Sequence, residues 1–344
     1  MVLLLIELNF YQHRNIMDKT IRWGIFGCGN IANKFATDLQ TVSGSVLHAV
    51  VARDLDRARN FAKKYTAERI YSDYSALVNN PDLDIIYVAT THNFHYEHVA
   101  LCLEANKAVL CEKPMCVNAQ EAQKLVDISR DKDIFLMEAM WTRFLPAVIR
   151  LKKDLDSGII GSPQLVQADF GIMKPPEAGS RFYEKTLAAG ALLDLGIYTI
   201  NFSNIVFGSQ PEGISGYAQF SDQGVDQLST YNLIYSEGRQ ALLSAAVALP
   251  TPHQARIYGD KGRIVVDDFF HPQQYQIILN GKEPQQINET FEGFGYQYEA
   301  REVQQCLLGG KTESSICSLD ETVAIMQAMD GLRKQWGLRY PNEY

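Results

Sequence analysis

The sequence predicts a two-domain α/β chain: a parallel sheet wrapped by helices, followed by an open, mostly antiparallel sheet with helices of its own. Three observations carry this. Apolar runs alternate with helix-patterned stretches from Ile21 to about Met140. A glycine-rich turn separates the first run from the first helix. Beyond residue 140, strand-like runs succeed one another through short turns. The length of 344 residues suits two domains of about 100–200 residues each.

The elements follow in order. Ile21–Gly27 is a short apolar run and Asn30 to Gln40 a helix; Val46–Ala52 and Leu55–Tyr65 repeat the pair. Ile85–Ala89, Ala108–Cys111 and Ile134–Met137 are further buried strands, separated by helices over His95–Ala105 and Ala119–Arg130. Asn118 and Glu121 give the latter a cap and a reaching carboxylate. Strands alternating with helices imply a parallel sheet covered on both faces. A helix at Pro146–Ser157 and a strand at Pro163–Phe170 then lead to a helix near Leu192–Phe207. Strands follow at Gly213–Phe220, Asp226–Tyr235, Arg239–Leu249, Gln254–Gly259 and Arg263–Asp267, with short ones to Phe291. Tyr296–Leu308 and Leu319–Trp336 close the chain, the latter opened by a Ser318/Glu321 capping box.

Composition excludes several classes. A net charge of −8 argues against a nucleic-acid surface, which needs clustered Lys and Arg. Val2–Ile6 is apolar but too short to span a membrane or serve as a signal core. Residues 1–16 read as an extension without function, with Met17 a natural start. Six cysteines without C-x-x-C spacing read as reduced thiols in the cytoplasm. The histidines show no zinc spacing, so no metal is expected.

The turn Gly27-Cys28-Gly29-Asn30-Ile31-Ala32 is G-x-G-x-x-A between a strand and a helix. The first glycine permits the tight turn, the second admits a pyrophosphate, and the small Ala32 lets helix and strand pack. The helix N-terminus faces the anion. This is a Rossmann fingerprint for a nicotinamide dinucleotide. At the end of the second strand, where NAD enzymes place an acid, the chain reads Ala52-Arg53. Arg53 offers a guanidinium to a 2′-phosphate, which selects NADP, with NAD the alternative; the bland reading pairs Arg53 with Asp54 or Asp56. Glu112-Lys113-Pro114 ends a central strand, where open α/β sheets bind ligands. Proline holds Lys113 in extended backbone, a fixed base for its ammonium. Thr90, Thr91, His92, Asn93 and Glu112 are counted with the cofactor-binding residues; His98 is a bystander. Asp194 and Tyr198 are i and i+4 and share a helix face. An ammonium near the phenol would favour its ionised form.

Those motifs, with Gly190 to Tyr198 (Gly-Ala-Leu-Leu-Asp-Leu-Gly-Ile-Tyr), resemble the Gfo/Idh/MocA oxidoreductases from about Ile21 to the C-terminus. Met137 to Phe144 and Leu192–Tyr198 are similar to the branch of dimeric dihydrodiol dehydrogenases and NADP-dependent D-xylose dehydrogenases. Many members place histidine where this chain has Tyr198, which sets it apart from the inositol-type mechanism. The resemblance implies a Rossmann domain over residues 18–140, after an extension over 1–17, and a substrate and dimerisation domain over 141–344. The last helices would pack back on the Rossmann domain. It also implies that Lys113 and Tyr198 converge on the nicotinamide, with Asp194 orienting a second hydroxyl. His95 would hydrogen-bond substrate or cofactor, Trp141 would line the pocket, and Arg143 would face the cofactor. The expected activity is hydride transfer between NADP and a polyol, vicinal diol or aldose-like substrate, in a homodimer or higher oligomer. The alternative is a non-catalytic, nucleotide-binding regulator of the same fold.

Overall fold

The computed structural model describes residues 19–177, 179–208, 210–341 and 343. The expected extension over residues 1–16 lies outside the described residues. The first sheet is parallel throughout and runs β3-β2-β1-β4-β5-β6. Its strands are β1 (Ile21–Phe26), β2 (Ser45–Val51), β3 (Arg69–Tyr71), β4 (Ile85–Val88), β5 (Ala108–Glu112) and β6 (Leu136–Ala139). Four of them are almost entirely apolar and fully buried at their centres, as a sheet covered on both faces requires. Between them run α1 (Asn30–Leu39), α2 (Leu55–Tyr65), α3 (Tyr74–Val78), α4 (His95–Glu104) and α5 (Ala119–Asp131). Asp54, Asp73 and Asn118 cap α2, α3 and α5 by accepting backbone N–H groups of the first turn. The strand order reverses between β1 and β4, so a crevice opens above their carboxyl ends.

Two expectations shift. β3 and α3 were not anticipated, because three partly exposed residues and a five-residue helix carry no periodic signal. The sixth strand lies two residues later than Ile134–Met137. It carries a buried carboxylate, Glu138, satisfied by the Met115 N–H at 2.9 Å and the Thr322 hydroxyl at 3.0 Å.

The second sheet has eight strands: β7 (Pro163–Gly171), β8 (Gly213–Phe220), β9 (Asp226–Ile234), β10 (Gln240–Ala246), β11 (Ala255–Gly259), β12 (Gly262–Val266), β13 (Gln274–Leu279) and β14 (Gln285–Asn288). They run β14-β13-β12-β11-β7-β10-β9-β8, antiparallel except where β7 meets β10. Alternation sets the two faces: Ala241, Leu243 and Ala245 of β10 are buried while Gln240 and Leu242 are exposed. The buried face receives α7 (Ile197–Phe207), with α6 (Pro146–Asp156) beyond it. The apolar segment Lys185–Phe207 is long and apolar enough to cross a membrane, but its apolar stretch is 94% buried inside the protein. It is the core helix of the second domain. All six cysteines are buried and free.

The two final helices, α8 (Tyr296–Leu308) and α9 (Leu319–Trp336), lie against α1 and α5 of the first sheet. Asp38 of α1 is the clasp. Its carboxylate accepts the Phe294 N–H at 3.0–3.1 Å and the Tyr296 N–H at 2.9 Å, capping α8 from a neighbouring helix. Hydrogen bonds to a charged partner contribute about 1.5–3 kcal/mol, so Asp38→Ala should lower stability by about that amount in denaturant unfolding. A loss below about 0.5 kcal/mol, typical of ordinary surface substitutions, would show that α8 is held by its apolar face alone.

Candidate active site

Gly27 sits at φ +90°, and a Cβ there would lie 3.0 Å from the Ala89 carbonyl oxygen, so only glycine makes this turn. Gly29 differs: a Cβ there would meet no protein atom within 4 Å. The backbone beside it is open to a ligand. Asn30 and Ile31 begin α1, whose first turn has no side-chain cap, and Ala32 is buried against the strand. Uncapped N–H groups and the positive end of the helix dipole fit a pyrophosphate. Cys28, between the glycines, is a buried thiol pushed up to about 11 by burial against the pull of Arg57. It is inert.

Arg53 is exposed at the end of β2, with its guanidinium 5.6 Å from the centre of the Phe94 ring. Asp54 is occupied by the Asp56 and Arg57 N–H groups, both at 3.0 Å, and Asp56 pairs with Arg59. Among the described residues Arg53 has no carboxylate partner. Arg57, four residues on, is a second cation whose charge reaches Cys28 between the two glycines.

Thr90, Thr91, His92 and Asn93 form the turn after β4, closed by a Thr91–Asn93 side-chain hydrogen bond of 2.7 Å. His98 packs behind it with Nδ1 3.0 Å from the Thr90 hydroxyl. His95 departs from expectation. It is fully buried, with Nδ1 2.8 Å from the Pro114 carbonyl and Nε2 3.0 Å from the Thr90 carbonyl. Both ring nitrogens face backbone, so none remains for substrate. His95 ties the β4 turn to the Lys113–Pro114 turn. Arg143 departs likewise. It is buried and donates to Asn201 (2.6 Å), Asn204 (2.8 Å), the Ile316 carbonyl (2.9 Å) and Glu321 (3.0 Å). Its guanidinium is consumed in joining α7 to α9 and cannot face a cofactor.

Lys113, Asp194 and Tyr198 are brought together. Lys113 projects from the end of β5; its ammonium donates to the Asp194 carbonyl at 2.7 Å and to Oδ1 at 3.3 Å. It also stands 4.8 Å from the centre of the Tyr198 ring. Glu112 is buried and accepts a hydrogen bond from the Tyr87 hydroxyl. Leu192–Gly196 winds as a wide π-type turn before α7 continues, a feature frequent at functional sites. Trp141 donates to the Tyr198 oxygen at 2.9 Å and stacks on Tyr296 at 4.9 Å. Phe170, 5.4 Å from Tyr198, stacks on Phe270 and completes an aromatic wall. The sequence reading missed Phe170 and Phe270. It also missed Arg181, which binds both Asp194 oxygens at 2.9 and 3.0 Å from the loop over residues 173–182.

The electrostatics follow. Burial disfavours the Asp194 carboxylate, but Lys113 and Arg181 outweigh it and hold the group below the usual range. Burial also disfavours the Lys113 ammonium, but the acidic groups around it, Tyr198 when ionised and Asp194, outweigh burial and raise it. For Tyr198, burial wins over the pull of Lys113, so the phenol titrates above its ordinary value. The ionised phenol expected beside Lys113 is therefore not the resting state. His92 lies in the same field, its imidazole pushed down to about 3 by burial against the pull of Asp194. The cluster thus offers a protonated phenol, an ammonium and a carboxylate beside the rings of Trp141, Phe170 and Phe270.

Residues 21–140 match the Gfo/Idh/MocA oxidoreductase family, NAD-binding Rossmann fold, and residues 148–265 its C-terminal domain. The chain is 40% identical over 334 residues to the trans-1,2-dihydrobenzene-1,2-diol dehydrogenase of Xenopus tropicalis, covering 93% of this chain and 99% of the relative. The Mus musculus protein of that name is 36% identical over 335 residues, covering 94% and 99%. Among solved structures, a 3-ketoreductase from Actinomadura kijaniata in complex with NADP and TDP-benzene superposes with a TM-score of 0.84 at 24% identity, over 92% and 98% of the two chains. A levoglucosan dehydrogenase in complex with NADH and levoglucosan gives 0.85 at 18%, over 93% and 97%. With the turn at Gly27, the lysine at the end of β5 and both domains matched, the chain belongs to the Gfo/Idh/MocA family of oxidoreductases.

Proposed function

We propose that this chain is an NADP-dependent dehydrogenase that oxidises a carbinol of a vicinal diol, or of a polyol or aldose-like substrate, and runs in reverse on the carbonyl. The observation that carries it is the Lys113 ammonium, at the carboxyl end of β5, shared between Asp194 and the Tyr198 ring. Burying these ionisable groups costs stability. A regulator that only senses nucleotide needs none of that, which favours the enzyme. The relatives at 36–40% identity bear the name of a vicinal-diol dehydrogenase, and that supports the substrate class.

Gly27, Gly29 and the first turn of α1 would hold the pyrophosphate, with Arg53 and Arg57 at the 2′-phosphate and the Thr90–Asn93 turn beside the cofactor. The dinucleotide, when bound, supplies the hydride acceptor or donor. Tyr198 holds the proton. As a phenol that titrates above its ordinary value it gives that proton to a carbonyl oxygen under reduction, and takes it back from the hydroxyl under oxidation. Lys113 lowers the barrier to the ionised phenol in the oxidising direction. Asp194, fixed by Lys113 and Arg181, accepts the hydrogen bond of the neighbouring hydroxyl, which selects a diol. Trp141, Phe170 and Phe270 exclude water from the reacting carbon.

The reading includes a cytoplasmic homodimer. The solvent face of the second sheet carries exposed Tyr217, Ile234 and Leu242, with Tyr217 and Leu242 lining a depression of about 440 Å³, an apolar surface suited to a second copy.

Two tests follow. Titration of both cofactors should show tighter binding of NADP, and Arg53→Ala should weaken NADP far more than NAD. Charge-assisted hydrogen bonds contribute about 1.5–3 kcal/mol, or roughly 10- to 150-fold. Equal wild-type affinity for NAD and NADP would sink the cofactor assignment. On the best substrate of a diol and polyol panel, Tyr198→Phe should cut turnover by about 10²–10⁴-fold while NADP still binds. Near-normal turnover would reduce Tyr198 to a packing residue.

A further inference from the structure

The helix that carries Asp194 and Tyr198 has no cap of its own. Neither Ala191, before the wide turn, nor Gly196, before α7, supplies a side-chain acceptor. The acceptor comes instead from the second sheet. Asp226 opens β9, is completely buried, and accepts the Leu192 N–H at 2.7 Å through Oδ2. Leu192 is two residues before Asp194. The other oxygen, Oδ1, is buried with no hydrogen-bond partner. It lies so close to Gly190 that a Cβ there would stand 2.2 Å away, and Gly190 is itself at φ +133°. The turn and the carboxylate are built around each other.

The same strand grips the helix further on. The Tyr231 hydroxyl is 2.6 Å from the Thr199 hydroxyl and 3.3 Å from the Gly196 carbonyl, and the Tyr235 hydroxyl is 2.7 Å from that of Ser203. These rungs set the helix's rotation along its length; at the end nearest Asp194, Asp226 takes the Leu192 N–H while Lys113 and Tyr340 reach the Asp194 and Ala189 carbonyls.

We propose that Asp226 is a positioning residue for the dehydrogenase reaction: its carboxylate fixes the first turn of the helix and so aims Asp194 and Tyr198 at Lys113. The proposal rests on the reaction proposed above. A buried carboxylate with one oxygen unpaired is expensive to keep, and such groups call for an explanation beyond stability. The groups facing it are the Leu192 N–H, Ser229 on its own strand, Arg333 from α9, and the phenols of Tyr231 and Tyr340. Burial outweighs the Leu192 N–H and Arg333 and pushes the carboxyl from 3.8 up to about 7. A folded value above the unfolded one means that this group's contribution to stability falls as pH rises through that window. Ionised Asp226 is a stability cost carried above neutral pH.

The experiment uses Asp226→Asn, which keeps an acceptor of the same shape, and Asp226→Ala, which removes it. Wild-type turnover on the diol panel is measured first and tests the reaction separately. Hydrogen–deuterium exchange over residues 190–197 then tests the clamp without any substrate. Asp226→Ala should speed exchange there and cut kcat by about 10- to 100-fold, as a misaimed catalytic group does, with KM for NADP unchanged. Asp226→Asn should restore both within about threefold of wild type and melt no lower than wild type at pH 8. Unchanged exchange in Asp226→Ala would overturn the proposal, as would faster exchange with undiminished kcat. An Asp226→Asn variant as slow as Asp226→Ala would also overturn it, since the retained acceptor would then count for nothing.

Discussion

A single ammonium organises the site. Lys113 arrives from the Rossmann sheet, while Asp194 and Tyr198 arrive from the second domain's core helix. Desolvating a lysine is unfavourable unless an anion and hydrogen bonds compensate. Here the Asp194 carboxylate and carbonyl supply both. Asp194 meets one cation from its own domain, Arg181, and one from the other, Lys113, while the buried ammonium of Lys113 finds its anion only across the domains. The Lys113–Asp194 pair is thus one contact that joins the two domains at the point where chemistry needs them together.

Much of the remaining polar interior serves to hold two short backbone segments still. On the lysine side, Glu138 accepts the Met115 N–H and His95 faces the Pro114 carbonyl. On the helix side, Asp226 accepts the Leu192 N–H and the Tyr340 hydroxyl donates to the Ala189 carbonyl at 2.7 Å. The chain's end links the two. Arg333 donates to the Val117 carbonyl near the lysine turn and to Glu343, which accepts the Tyr340 N–H. Rigid elements carry the reacting side chains, and buried carboxylates on backbone N–H groups carry the elements.

The sequence was legible where function depends on local geometry. The glycine turn, Lys113 at a strand end and the Asp194–Tyr198 spacing each announce themselves within a few residues. The place of Arg53 at the end of the second strand is legible for the same reason. The residues read wrongly depend on where the chain turns in three dimensions. His95 has the chemistry of a substrate ligand, yet α4 directs it inward onto two carbonyls. Arg143 sits beside Trp141 in sequence, but its partners Asn201, Asn204, Ile316 and Glu321 come from 58 or more residues away. Arg181 is invisible as a site residue because only the folded loop sets it on Asp194. The protonation state of Tyr198 was also out of reach, being decided by burial rather than by the neighbouring charge.

The most direct test of the account is the pH dependence of kcat/KM for Lys113→Met beside wild type, on a diol substrate with NADP. In the wild type Lys113 holds the Tyr198 phenol below the value that burial alone would give. Without the ammonium, turnover should fall and the limb assigned to Tyr198 should move to higher pH, because the ionised phenol loses its cationic neighbour. An unchanged limb in Lys113→Met would contradict the account and place the ionising group elsewhere.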